Sequence, residues 1–149
     1  MRVVLFFSGC AHECKGCHNE KAHDFKCGIP FDFEWQNKVI EYVKDTPFIK
    51  GITLSGGDPM FSAEQLIPFV LRFKEEIPRA DIWIYSGFTY EQINKRSGQF
   101  ALLALCDVLV DGPFLLDEKD EALKFKGSRN QRVIDVRKSL ERKEVVLFE

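Results

Sequence analysis

Three cysteines crowd into eight residues, Cys10, Cys14 and Cys17, with the spacing C-x3-C-x2-C. Thiolates bind soft metals and iron–sulfur clusters. Three of them can hold three irons of a cubane and leave the fourth iron without a protein ligand. Structural zinc and structural clusters normally take four ligands and are closed. An open iron invites a small chelator, and the amino and carboxylate groups of an amino acid suit that role. The competing reading is a zinc site. His12, His18, His23 and Cys27 are all near enough in sequence to supply a fourth ligand, and Cys14-x2-Cys17 with His23-x3-Cys27 makes a Cys3His set. On ligand counting alone both readings stand. Cys27 otherwise reads as an incidental loop thiol, and Cys106, beside an apolar run, as a core residue.

The elements that must position these cysteines are short apolar runs separated by helical segments. Val3–Phe7 leads directly into Ser8-Gly9-Cys10. Further runs are Gly51–Leu54, Asp81–Tyr85 and Asp107–Val110, then a weaker Val133–Val136 and a sixth candidate at Val145–Phe148. The first four are nearly continuous in hydrophobicity, as parallel strands are when both faces are covered. Between the first two, Trp35, Val39, Tyr42 and Val43 share a helical face, with Asp32 placed to cap. Between the second and third, Leu66, Phe69, Val70, Phe73 and Ile77 follow the helical period. Ser62 and Gln65 have capping-box spacing, but Pro68 favours a start near Leu66. Thr89 can cap Tyr90–Lys95, and Phe100–Leu105 adds a further helical turn or two. This alternation demands right-handed crossovers and a parallel sheet, either open or part of a (β/α) barrel.

Each of the first four strands runs into small or polar residues. These are Ser8-Gly9-Cys10, Ser55-Gly56-Gly57-Asp58-Pro59, Ser86-Gly87 and Asp111-Gly112-Pro113. Ligands of parallel α/β folds bind outside the carboxyl ends of the strands. Any one such turn needs no further explanation. Four together, the first carrying three cysteines, predict one shared site.

The 149 residues suit one domain spanning 1–149. The formal net charge is −2, which gives no electrostatic reason to expect nucleic acid or an anionic membrane as partner. Met1-Arg2 and the apolar residues up to Cys10 look like a lipoprotein signal, but Val3–Phe7 is too short for a signal core and reads as a strand. No run approaches a membrane span. A cytoplasmic protein is expected, in which clustered cysteines serve metal or catalysis rather than disulfides.

The three-cysteine motif after a first strand resembles that of the radical S-adenosylmethionine superfamily. Within it, the chain resembles the activating enzymes of anaerobic (class III) ribonucleoside-triphosphate reductase. The resemblance runs through Arg2–Phe6 with Ser8-Gly9-Cys10, His12, Cys14, Gly16-Cys17 and Asn19. It continues through Gly51–Pro59, Ile82–Phe88, Val108–Gly112 and Gly127-Ser128-Arg129-Asn130-Gln131-Arg132. It implies a partial (β/α) barrel with five or six parallel strands. It also implies a [4Fe-4S] cluster on Cys10, Cys14 and Cys17, with S-adenosyl-L-methionine at the open iron. Gly16, Cys17 and His18 would lie beside that cofactor. Gly56, Gly57 and Asp58 would take its methionine amino group through backbone carbonyls and an acidic side chain. The resemblance further implies a glycyl radical made on the reductase, a one-electron donor such as flavodoxin, and no general acid or base. Asp58 stands where the wider superfamily usually has Glu, which is typical of this branch. His18 stands where Tyr is common. Members usually carry a short leader ahead of the first strand, so the recorded start is expected to lack one. Alternatives are the pyruvate formate-lyase type of activase or, from another class, a zinc-stapled interaction domain.

Overall fold

The computed structural model describes residues 1–7 and 31–149. The predicted site residues Cys10, Cys14, Gly16, Cys17 and His18, with His12, His23 and Cys27, lie outside the described residues.

The apolar runs form β1 (Arg2–Phe7), β2 (Gly51–Gly56), β3 (Asp81–Tyr85), β4 (Val108–Asp111) and β5 (Arg132–Asp135). They make one sheet in the order β1-β2-β3-β4-β5, with β1 to β4 parallel. Helices α1 (Phe33–Lys44), α2 (Ala63–Glu76), α3 (Tyr90–Asn94) and α4 (Ser97–Leu103) fill the crossovers, and α5 (Val136–Arg142) follows β5. All five contribute to one core cluster with Val3, Leu5, Phe7, Ile52, Leu54, Ile82, Ile84, Leu109 and Ile134 of the strands. The alternate residues of the strands face the other way. Trp83, Val108 and Val110 form a second, smaller cluster there, roofed by Phe125 and Phe148 against the Trp83 ring. Sequential strand order with the described helices on one face differs from a doubly wound sheet, whose order reverses and whose helices cover both faces.

Five expectations are corrected. First, β5 runs antiparallel to β4, with Val110 opposite Val133. No α-helix is found between them: a 3-10 turn at Leu116–Glu118 and a bridge between Lys119 and Ser128 occupy the link. Antiparallel neighbours need no crossover helix. Second, Val145–Phe148 is not a full strand; it touches β5 through one bridge, Leu147 to Ile134. Third, α2 begins at Ala63, with Pro68 inside it and no side-chain cap from Ser62. The helix continues from a 3-10 turn at Pro59–Ser62 that Asp58 already caps. Pro68 and Glu64, whose carbonyl loses its donor, are both exposed, so water replaces the missing bond. Fourth, α1 buries Ile40 and Val43, while Trp35 and Tyr42 are 43% and 53% exposed. Trp35 instead carries the Lys38 ammonium 4.5 Å above its ring. Fifth, the strands are not covered evenly on both faces: Phe6 on β1 is 67% exposed.

The other local signals hold. Asp32 caps α1 by accepting from the Trp35 N–H at 3.0 Å. Thr89 and Gln92 form a capping box on α3. Leu66, Phe69, Val70, Phe73 and Ile77 are all buried.

Candidate functional site

The turns after β2, β3 and β4 meet at one end of the sheet, beside Phe7 at the end of β1. At β2 the close approach is between backbones. Gly56 has φ +105°, and a Cβ there would lie 2.3 Å from the Phe7 nitrogen and 2.4 Å from its oxygen. Only glycine tolerates both the left-handed conformation and that contact. The next residue, Gly57, donates its N–H to the Phe7 carbonyl at 2.6 Å. Phe7 is the last described residue before the cysteines, so the Gly56–Pro59 turn is clamped to the strand that leads into them.

Asp58 ties the β2 turn to the β3 turn. It is 1% exposed. Its Oδ1 accepts from the Met60 N–H at 2.9 Å. Its Oδ2 accepts from the Ser86 hydroxyl at 3.0 Å and the Gly87 N–H at 2.9 Å. The Ser86 oxygen in turn accepts from the Phe88 N–H at 3.0 Å. Charge-assisted bonds of this kind satisfy a carboxylate that burial would otherwise penalise. The rings of Phe61 and Phe88 pack across the same junction, 5.2 Å apart, and the Arg96 guanidinium lies 4.9 Å from the Phe88 ring centre.

A second buried carboxylate, Asp111, closes the β4 end. It is also 1% exposed. It accepts from the Tyr90 N–H at 2.8 Å, where α3 begins, and from the Arg132 N–H and Nε at 3.2 and 3.1 Å. The Arg132 Nη2 bridges Asp111 at 2.5 Å and Glu91 at 2.6 Å. Hydrogen bonding to Asp111 raises the guanidinium pKa, and the same arginine lowers that of Glu91.

Gly127–Arg132, read alone as a surface turn, is a clasp on this β4 turn. The Gln131 Oε1 accepts from the Gly127 and Ser128 N–H groups at 2.9 and 3.2 Å, while its Nε2 donates to the Gly112 carbonyl at 3.0 Å. The Asn130 Nδ2 donates to the Pro113 carbonyl at 2.8 Å. Gly112 itself has φ +94° and donates to the Phe88 carbonyl at 3.1 Å. The β2, β3 and β4 turns are therefore joined by hydrogen bonds, and the β2 turn is joined to the end of β1.

Of the predicted site residues, the structure thus brings together Gly56, Gly57 and Asp58. Ser86, Asp111, Gln131 and Arg132 were visible in the sequence as turn residues but without a role. The signal of Ser86 and Asp111 was a hydroxyl or an acid at the end of an apolar run; their side-chain partners, Asp58 and Arg132, lie 28 and 21 residues away, too far along the chain to be read from it. Among the described residues no group of three or more His, Cys, Asp or Glu is placed to hold a metal ion. Cys106 is buried in the core, and burial pushes its thiol up to about 12. It is no candidate for a ligand thiolate. The other four cysteines, Cys10, Cys14, Cys17 and Cys27, lie outside the described residues.

Known proteins resemble this chain over most of its length. Residues 1–134 match the family described as a 4Fe-4S single cluster domain. The chain is 44% identical to the anaerobic ribonucleoside-triphosphate reductase-activating protein of Haemophilus influenzae over 133 residues, covering 87% of this chain and 84% of that protein. It is 38% identical to the protein of that name from Escherichia coli K12 over 139 residues, covering 91% and 89%. The counterpart from Enterobacteria phage T4 is 34% identical over 134 residues, covering 89% and 82%.

Proposed function

The chain belongs to the family of anaerobic ribonucleoside-triphosphate reductase-activating proteins, with a 4Fe-4S single cluster domain, and from that premise we propose that it cleaves S-adenosyl-L-methionine reductively to install a glycyl radical on that reductase. In this reading Cys10, Cys14 and Cys17 hold the cluster and leave one iron for the amino and carboxylate groups of the cofactor. Gly16 and His18 would lie alongside it. The chemistry supplied when both groups are bound is one-electron breakage of the sulfonium C–S bond, giving methionine and a 5′-deoxyadenosyl radical that takes a hydrogen atom from a reductase glycine Cα.

The chain's own residues bind and orient. Gly56 and Gly57 offer backbone carbonyls to the ligand's ammonium. Asp58 fixes the turn that carries them and adds its negative charge. No side chain need move a proton, so Asp58 and the histidines are not acid–base groups. The cofactors do the hard chemistry, and the protein supplies position and a dry site.

The observation that carries the proposal is the clamp of Gly56 and Gly57 on Phe7, which sets the ligand-facing turn against the strand that feeds the cysteines. The sequential parallel strands, with the described helices on one face, support a partial (β/α) barrel. Its face opposite the helices, exposed at Phe6, would admit the reductase loop. A flavodoxin suits the role of electron donor, and a cytoplasm with reduced thiols suits the cysteine set. Anaerobic reconstitution with iron and sulfide tests the proposal. A brown protein that releases methionine from S-adenosylmethionine when reduced is expected. A colourless protein that retains zinc and leaves S-adenosylmethionine intact would refute it.

A further inference from the structure

Ser86 lies 28 residues from Asp58 in sequence, yet its hydroxyl directs its one donor at that carboxylate. It accepts from the Phe88 N–H and donates to the Asp58 Oδ2, both at 3.0 Å. It is 6% exposed, so water cannot readily replace it. The turn it secures contains Gly56 and Gly57, whose backbone is intrinsically free. Among the described residues, that turn is tied on the β1 side by the Gly57 N–H, which donates to the Phe7 carbonyl. On the β3 side the Asp58 carboxylate is its tether, held by Ser86 and the Gly87 N–H.

We propose that Ser86 is a positioning residue for S-adenosylmethionine affinity: by fixing Asp58, its hydroxyl pre-orders the Gly56–Asp58 turn that receives the ligand. The inference rests on the function proposed above. It also accounts for the short acid at position 58. A Glu there would carry its carboxylate one methylene further, past the Met60 N–H and into the buried Ser86–Gly87 turn. Ser86 does not touch the reacting atoms. A looser turn must be ordered when the ligand binds, so the cost falls on affinity. Once the ligand is bound the turn is ordered, and turnover changes little.

The test is equilibrium dialysis of S-adenosylmethionine against oxidised, reconstituted protein, in which no turnover occurs, with iron content and methionine release measured alongside. Ser86→Ala is expected to raise Kd and KM about tenfold, the scale of one hydrogen bond to a charged group. Iron content should be unchanged and kcat within about twofold. Ser86→Thr, which keeps the hydroxyl, should restore most of the affinity. Asp58→Asn, which keeps the volume, cuts the same tether from its other end and also removes the carboxylate charge, so it should raise Kd at least as much. The double variant should then be no more than about twofold worse than the weaker single variant. Kd within twofold of wild type in Ser86→Ala overturns the proposal. So does a Ser86→Thr protein as weak as Ser86→Ala, or full multiplication of the Ser86 and Asp58 effects. Should Ser86→Ala fail to fold, wild-type affinity in Asp58→Asn overturns it equally. Wild-type protein that binds no S-adenosylmethionine refutes the proposed function, and the inference with it. Normal wild-type binding with an indifferent Ser86 refutes the inference alone.

Discussion

Replacing Arg132 by Met removes the guanidinium from a buried carboxylate while keeping much of the side-chain volume. Asp111 is 1% exposed and takes charge-assisted bonds from the Arg132 Nε and Nη2. Breaking a buried ion pair from one side costs about 3–5 kcal/mol, because the remaining charge is left uncompensated. Two donors stay in place, the Tyr90 and Arg132 backbone N–H groups. They put the expected loss at the lower end, about 3 kcal/mol. For a chain of this size each kcal/mol lowers Tm by roughly 2–4 °C, so the midpoint should fall by roughly 6–12 °C. Thermal unfolding of the cluster-loaded protein, followed anaerobically by circular dichroism at matched iron content, reads this directly. Asp111→Asn on top of Arg132→Met removes the stranded charge and should recover part of the loss, since the amide oxygen keeps one of the two backbone N–H donors and the NH2 opposes the other. Glu91→Gln is the control. The Glu91 side chain is 54% exposed, so its half of the network contributes no more than about 1 kcal/mol. The hydrogen bond from Arg132 holds the Glu91 carboxyl below its ordinary value of 4.5. Its contribution is therefore present above that pH and lost as pH falls through the lowered folded-state value, so the Glu91→Gln difference should vanish in acid. An Arg132→Met midpoint within about 2 °C of wild type, or a double variant no better than the single one, would refute the reasoning.

Gly56→Ala puts a Cβ within 2.3 Å of the Phe7 nitrogen at a φ of +105°. The end of β1 must shift, so iron bound per chain after reconstitution should fall severalfold while far-ultraviolet circular dichroism persists; full iron loading would count against the clamp. The Cys106 thiol, pushed up to about 12 by burial, should stay unalkylated at pH 8 in the folded protein and react once the chain is unfolded, as read by peptide mass spectrometry. Rapid labelling of Cys106 in the native state would show that the core is not closed around it. Phe73→Ala in the fully buried face of α2 should cost about 3–5 kcal/mol, whereas Phe6→Ser, at a position 67% exposed, should cost less than about 1 kcal/mol; equal costs would contradict this difference in burial.

The succession and parallel direction of β1 to β4 were legible because each is a short apolar run ending in a turn signal, and the helices between them follow the helical period. The direction of β5 was not. Val133–Val136 looks the same in a parallel or an antiparallel pair, and the choice is made by the long link that precedes it, folded back by Gln131 and Asn130 onto the β4 turn. The start of α2 was misplaced because the Pro68 penalty is local, whereas the cap on the preceding 3-10 turn comes from Asp58. The phase of α1 was misread because Trp35 and Tyr42 are aromatic yet exposed, and Ile40 supplies the contact with the core. At the site, Gly56, Gly57 and Asp58 stood out by type and position. Ser86 and Arg132 did not, since their partners lie 28 and 21 residues away. A hydrogen bond of that span leaves no periodic mark in sequence.

The central claim is tested most directly by electron paramagnetic resonance on the reductase itself. Reconstituted protein, S-adenosylmethionine and a one-electron reductant are incubated anaerobically with anaerobic ribonucleoside-triphosphate reductase, and in parallel with pyruvate formate-lyase. The account predicts a glycyl radical signal on the reductase, none on the lyase, and none on either when Cys10, Cys14 and Cys17 are replaced by Ala. A signal that survives loss of the three cysteines, or no reductase signal while S-adenosylmethionine is being cleaved, would contradict it.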